Sequence, residues 1–399
     1  MTEPWLEIEN RQRLEVPAGP GYQDYTWQAQ FACQVNVLSH QEWAKLKWGF
    51  NASTLFEEFL ERQKLFLESQ YEARHKLGTE APDYRSLSFR LINRPGEGIL
   101  VAVLGKVHAK SEKEARESAL KYYGNVTSTF PYDYILVSVQ SSEEFHQIAG
   151  WNILDGDKDH IDLAQIKRLE IPLPLARNSP FLQGIWRSGP RSHEPIWRAL
   201  AACSDPVLLN MTLRCTVLYE KEREKLLNSA EEVPSTQDRS LNPQTLLGMQ
   251  QWHKKFVERR LVPWVKVFYL QVHLASPCKL SKDLLRTVGS SLALNGSGES
   301  LPGYQIIAPD QEHVPAWQNR LKNQDLIFSE SHLPVPRLSE LADLEEVFAA
   351  VRLPYSPPEN GFPNVNFITT VNAQNHQPAH SALREDDQGA LSTEQTTTD

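Results

Sequence analysis

The chain is short of cysteine, of long apolar runs and of net positive charge, and each shortage closes off a class of protein. Its four cysteines, Cys33, Cys203, Cys215 and Cys278, lie far apart with no Cys-x-x-Cys pair. Nothing in that spacing favours a disulfide framework, so buried free thiols in a reducing cytoplasm are expected. The longest apolar stretches, such as 99–104, fall well short of the ~20 residues that cross a bilayer. The N-terminal stretch is acidic and holds no apolar h-region, so neither a secretory signal nor membrane insertion is expected. Lysine and arginine number 41 against 50 acids, a formal charge of −9. That balance argues against a dedicated nucleic-acid binder, because phosphate neutralisation supplies most of such affinity. One basic run, Lys254, Lys255, Arg259, Arg260 and Lys266, reads as a solvated helix face.

Catalytic signatures are missing as well. Nucleotide hydrolysis of the P-loop kind needs Gly-x-x-x-x-Gly-Lys-Ser/Thr, because backbone amides and the lysine cradle the phosphates. The one Gly-Lys pair, Gly105-Lys106, is followed by Val107 and lacks the upstream glycine. No apolar strand ends in Asp-Glu to hold magnesium. Gly296-Ser297-Gly298 is half a dinucleotide fingerprint and reads as a loop. The run from Asp155 to His160 has the wrong residues, His160 and Ile166, where a calcium loop needs glycine and glutamate. His108 and His273 sit among apolar neighbours and read as structural histidines. No catalytic residue, cofactor or metal ligand is therefore assigned.

What is present fits two globular domains: 399 residues, 40% hydrophobic and 23% charged. After an arm at 1–20, residues 21–155 alternate in a recognisable order. A strand at 25–37 precedes a long helix opened by Thr54 and Glu57. Pro95-Gly96-Glu97-Gly98 then joins strands 86–93 and 99–106 into a hairpin. Ser111 and Glu114 open a second helix that stops near Gly124, and 134–139 closes the unit as a strand. Strand, helix, two strands, helix, strand is the split βαβ plan of a ferredoxin-like sandwich. Prolines 172, 174, 180 and 190 mark a crossing at 156–192. A second α+β domain at 193–335 repeats the theme less cleanly, with strands at 207–218, 264–274 and 304–308. The overall class is α/β (α+β).

A linker helix at 339–351 with a Pro/Gly-rich exit fills 336–367, and 368–399 has the polar composition of a disordered tail. The helix places Leu341, Leu344, Phe348 and Val351 on one face, an apolar stripe that needs a cover. The ten tryptophans are dispersed without interleaved arginines, which favours core and protein contacts over base stacking.

The stretch from Leu338 through Leu353-Pro354-Tyr355 to Phe362-Pro363 resembles the junction preceding the nucleotide-binding core of HerA/FtsK-like and conjugation-type ATPases. Pro195-Ile196-Trp197-Arg198 before Val207-Leu208-Leu209, and Leu284-Leu285-Arg286 ending at Gly289, are similar to the same pre-ATPase region. The resemblance spans roughly 160–365, with the P-loop core missing. It implies a cytoplasmic, non-catalytic scaffold or adaptor that partners a separate P-loop ATPase in DNA translocation, mobile-element or defence biology. On that model Leu341, Leu344, Phe348, Val351, Tyr355 and Phe362 dock on the motor as a helix in a groove. The alternatives are a hydrolase or nuclease with a site assembled from dispersed residues, and a single-strand nucleic-acid binder. The stripe of Leu341, Leu344, Phe348 and Val351 packing on the chain's own second domain is the competing assignment for those four residues.

Overall fold

The computed structural model describes residues 3–11, 25–37, 52–71, 85–156, 161–172, 181–186, 193–232, 243–263, 265–293, 303–328, 336–355 and 365–368. In chain order the first half comprises β1 (Glu7–Asn10), β2 (Trp27–Val37), α1 (Ala52–Ser69), β3 (Arg85–Arg94), β4 (Gly98–Ala109), α2 (Glu112–Thr129) and β5 (Tyr134–Ser138). Next come α3 (Ser142–Ile148), α4 (Trp151–Leu154), β6 (Asp162–Arg168), β7 (Glu170–Pro172), β8 (Phe181–Gln183), α5 (Glu194–Ala201) and β9 (Val207–Thr216). The remainder is α6 (Glu220–Glu232), α7 (Pro243–Leu261), β10 (Val267–Ser276), α8 (Lys282–Leu292), β11 (Tyr304–Ile307), α9 (Val314–Lys322), β12 (Leu341–Asp343) and α10 (Leu344–Ala350).

The class is α+β, and its centre is one ten-stranded sheet in the order β1-β2-β4-β3-β9-β10-β6-β11. Every ladder between its strands is antiparallel. The first unit, β2-α1-β3-β4-α2-β5, has the strand order β5-β2-β4-β3 of the ferredoxin-like plan. The second unit repeats it: β6-α5-β9, then α6 and α7, then β10-α8-β11, in the order β11-β6-β10-β9. In each unit the first and second strands flank the third, so a helix must cross between them. The second unit's β6 lies inside the stretch expected to be an inter-domain crossing. Its sequence, Asp-Leu-Ala-Gln-Ile-Lys-Arg, has three charges in seven residues and looks like surface.

The sheet does not break between the expected domains. The second strand of one unit, β3, pairs with the second strand of the other, β9, from Leu87↔Leu213 to Asn93↔Val207. Two local expectations also change. Helix α2 runs past Gly124 to Thr129, because Tyr122 and Val126 continue its buried face. The C-terminal helix is short. Residues Pro336–Glu340 form a 3-10 turn, Leu341–Asp343 pair with β10, and only Leu344–Ala350 is α-helical.

Helices α1, α2, α5, α8 and α10 cover one face of the sheet over a single apolar core that includes Phe31, Val103, Leu209 and Val272. The opposite face is covered by α3, α4 and α9 around Ile92, Leu104 and Leu208, and by α6 and α7 around Phe256, Val267 and Leu341. Between those two apolar islands the buried face is polar, with Gln30, Ser88, Lys106, Thr212, Arg214 and Gln271 on neighbouring strands.

Candidate functional site

The C-terminal segment is keyed into the fold by ions rather than laid on its surface. Asp343 caps α10, and Glu346 returns the contact to the Asp343 amide, a complete capping box. Glu346 also takes Arg168 Nη1 at 2.9 Å and Arg260 Nη2 at 2.5 Å, with all three side chains sealed from solvent. Arg168 Nη2 donates to the carbonyls of Ser339 and Leu341 at 2.6 Å, and Arg260 Nη2 to Leu341 at 2.7 Å. Arg259 binds Asp343 with both forks at 2.5 Å. The Asp343 cap and these arginines explain why the helix starts late: carbonyls an earlier start would have used bind guanidinium instead.

Burial would push the Glu346 carboxyl up, but Arg260, Arg168 and Arg259 more than reverse this and hold it at about 2. Burial also draws Arg260 down to about 10 despite Glu346. Three guanidinium groups surround one acid, so the Glu346 carboxylate stays ionised across the neutral range.

The expected docking residues can now be placed. Leu341 is 0% exposed, Val351 2% and Phe348 8%, all in the chain's own core, and Leu344 is partly buried against it. Leu341 sits in β12 rather than on the helix, so the four do not form one helical stripe. As a free apolar face the stripe is corrected by this packing. Tyr355 packs on Phe56, Phe59 and Trp197 and donates its hydroxyl to Glu194 at 2.9 Å. Phe362 and the tail from 369 onward lie outside the described residues.

The Leu353-Pro354-Tyr355 junction is clamped from three elements. Gln63 of α1 accepts the Leu353 amide at 3.0 Å, and Tyr134 of β5 donates to the Pro354 carbonyl at 2.9 Å. Gln63 itself donates to the Tyr134 hydroxyl at 3.0 Å. Farther on, residues 365–368 pass beside the start of β4. Ile99 donates to Asn366 at 2.7 Å, and Ile368 to Ile99 at 3.0 Å. Gly98, at φ +125°, makes room: a Cβ there would lie 2.3 Å from the Asn366 carbonyl oxygen.

Two further buried assemblies hold the polar face. Asp325 binds Lys106 and, at 2.6 Å, Arg11. Burial draws Lys106 down to about 8 despite Asp325, while Lys106 and Arg11 outweigh burial at Asp325 and lower it. Around them Asn323 accepts from Gln28 at 2.6 Å, and Gln271 clasps both backbone groups of Ile327 at 2.7 and 2.8 Å. Lys167 sits between Glu170 at 2.8 Å and Glu340 at 3.6 Å. Burial pushes Glu340 up to about 7; Lys167 and Arg168 oppose this, and Glu170 adds to it.

Among the described residues no three His, Cys, Asp or Glu side chains converge to hold a metal ion, and no helix is long and apolar enough to cross a membrane. All four cysteines are free; Cys33 is buried, whereas Cys278, expected to be buried, is exposed. Burial holds His108 well below its ordinary value and takes His273 to about 3, so both are neutral structural side chains. The basic run splits: Lys254 and Lys255 are exposed, but Arg260 is a core residue. The ionic keys escaped sequence reasoning because their partners are far apart in the chain, as Arg168 and Glu346 are. The one signal was Asp343-x-x-Glu346, a capping-box spacing inside the predicted helix. No protein-family model matches the chain, and no curated protein is similar to it.

Proposed function

We propose that this chain is a non-catalytic, cytoplasmic scaffold or adaptor subunit that partners a separate HerA/FtsK-like P-loop ATPase in a DNA-translocation, mobile-element or defence system. The observation that carries the proposal is the clamp on Leu353-Pro354-Tyr355 by Gln63, Tyr134 and Glu194. A scaffold that orients a motor needs a junction whose direction is fixed by the body of the protein, and preorganisation lowers the ordering cost of docking. The carboxylates with shifted titration, Asp325, Glu340 and Glu346, face buried cations, which suits structural rather than catalytic work.

The docking element in this proposal is the Pro/Gly-rich segment 356–364 with Phe362, not the buried stripe. The test is affinity purification of the tagged chain from its host, beside a variant with 356–364 replaced by a Gly-Ser linker of equal length. Deleting 338–367 would remove core residues and is unsuitable. Co-elution of a P-loop ATPase with the native chain and its loss from the linker variant are expected. A native chain that elutes without any such ATPase would refute the adaptor assignment.

A further inference from the structure

Both units open the same wedge in the sheet, and the C-terminal segment fills each one. In the first unit β2 pairs β4 only as far as Gln34↔Ala102, while residues 35–37 continue on β5. No residue of β2 lies opposite 98–101 at the start of β4. In the second unit β6 pairs β10 only from Ser276 to Val272, while residues 167–168 continue on β11, so 267–271 of β10 are left in the equivalent position. A strand that peels away leaves its neighbour's backbone donors and acceptors in need of new partners. In the second wedge β12 supplies them, with Leu341, Ala342 and Asp343 opposite Tyr269, Phe268 and Val267. In the first, residues 365–368 do so through a parallel bridge between Phe367 and Ile99.

The two fillings are held very differently. Leu341, Ala342 and Asp343 are buried; Arg168 and Arg260 bind the Leu341 carbonyl, and Arg259 binds the Asp343 carboxylate. Val365-Asn366-Phe367-Ile368 carries no charged side chain, so no side-chain ion pair locks it. Val365 is buried, but Asn366 is exposed and Phe367 and Ile368 are half-buried. Among the described residues its polar anchors are the two Ile99 backbone bonds and the Gln34 amide, which donates to the Ile368 carbonyl at 2.9 Å. The Phe367 ring stands edge-on to Trp197 at 6.2 Å. Each such hydrogen bond adds little net stability, because water competes for the same groups. The first wedge thus recognises an extended strand by main-chain pairing and side-chain fit rather than by charge.

We propose that the wedge beside Gly98 and Ile99 is a strand-exchange site whose second occupant is the 365–368 segment of another copy of this chain. A second copy is the partner whose fit the structure already displays. Val365 enters the core, Gly98 admits the Asn366 carbonyl, and Phe367 meets Trp197. Nine residues, Ser356 to Asn364, join the segment to the clamped Tyr355. A chain of that length reaches up to about 30 Å, which lets the segment leave its own wedge for a neighbour's. Exchange in both directions rebuilds every bond that it breaks, which makes it a low-cost route to a dimer. The ion-locked β12 has no such freedom. The site stands independently of any motor partner.

The experiment is sedimentation velocity of the full chain from micromolar to submillimolar concentration, beside two variants. The double variant Phe367→Asp with Ile368→Asp disables the segment and leaves the wedge open. Gly98→Ala closes the wedge, since its Cβ meets the Asn366 carbonyl, and leaves the segment intact. The native chain should show a dimer whose fraction grows with concentration, and each variant alone should stay monomeric. Mixed in equal amounts, the two variants should form a heterodimer, with the intact segment of one seated in the open wedge of the other. Hydrogen exchange at Ile99 of the double variant should slow on mixing, because that amide regains its acceptor. A native chain that stays monomeric throughout, a dimer that survives in the double variant, or a mixture without heterodimer would each overturn the exchange. If Gly98→Ala does not fold, the comparison of the native chain with the double variant keeps the test decisive.

Discussion

Replacing Glu346 by glutamine keeps the shape of the C-terminal key and removes its charge. In the native chain Glu346 faces Arg168 and Arg260, and it holds the Asp343 and Trp186 amides at 3.2 and 3.3 Å. The two amides use different carboxylate oxygens, so glutamine keeps an acceptor for only one of them and leaves two core arginines uncompensated. Breaking a buried pair from one side costs about 3–5 kcal/mol. The carboxyl's displacement from 4.5 to about 2 gives an independent figure of roughly 3 kcal/mol. Because Arg260 is itself penalised by burial, the lower end is expected, roughly 3 kcal/mol. The assay is urea unfolding followed by far-UV circular dichroism at neutral pH. The pH dependence has a definite sign. A depressed carboxyl stabilises the fold above 4.5, and that contribution is lost as pH falls from 4.5 toward 2. The gap between native and Glu346→Gln should therefore close on acidification. A variant within about 0.5 kcal/mol of the native chain at neutral pH would refute the argument.

Glu340 should behave in the opposite sense. Its folded value near 7 exceeds the unfolded 4.5, so its favourable contribution is full below 4.5 and is lost as pH rises through 7. Glu340→Gln should melt above the native chain at pH 8 and level with it at pH 4.5; a gain that does not grow with pH across that window would contradict this assignment. Gly98→Ala should free residues 365–368 from β4, since the new Cβ meets the Asn366 carbonyl in a left-handed backbone conformation. The cost should be about 1–3 kcal/mol, with faster hydrogen exchange at Ile99 and Ile368, and unchanged protection at both amides would show that the segment tolerates a side chain there.

Local structure was legible wherever the signal is itself local. Pro95-Gly96-Glu97-Gly98 marked the β3–β4 hairpin, and Ser111 marked a helix start that its hydroxyl does cap. The split βαβ plan of the first unit followed from element order, because each helix must cross between parallel strands that flank a third. The second unit was half legible. Its last three strands, β9, β10 and β11, alternate visibly, but β6 carries Lys167 and Arg168 and passes for surface until Glu170, Glu340 and Glu346 are seen to face them.

The candidate site shows the same division. Sequence composition and the absence of a P-loop determined that no known nucleotide chemistry could be assigned, and the Leu353-Pro354-Tyr355 junction was visible as a sequence feature. Only the tertiary structure decided that Leu341, Phe348 and Val351 point into the chain's own core, because an apolar stripe specifies that it be covered but not by what. It alone joined the two units through β3 and β9, a pairing between strands more than a hundred residues apart that no local pattern encodes. It alone placed Glu346 between guanidinium groups from distant segments of the chain. A side chain's charge is written in the sequence, whereas the neutralisation of that charge depends on distance in space.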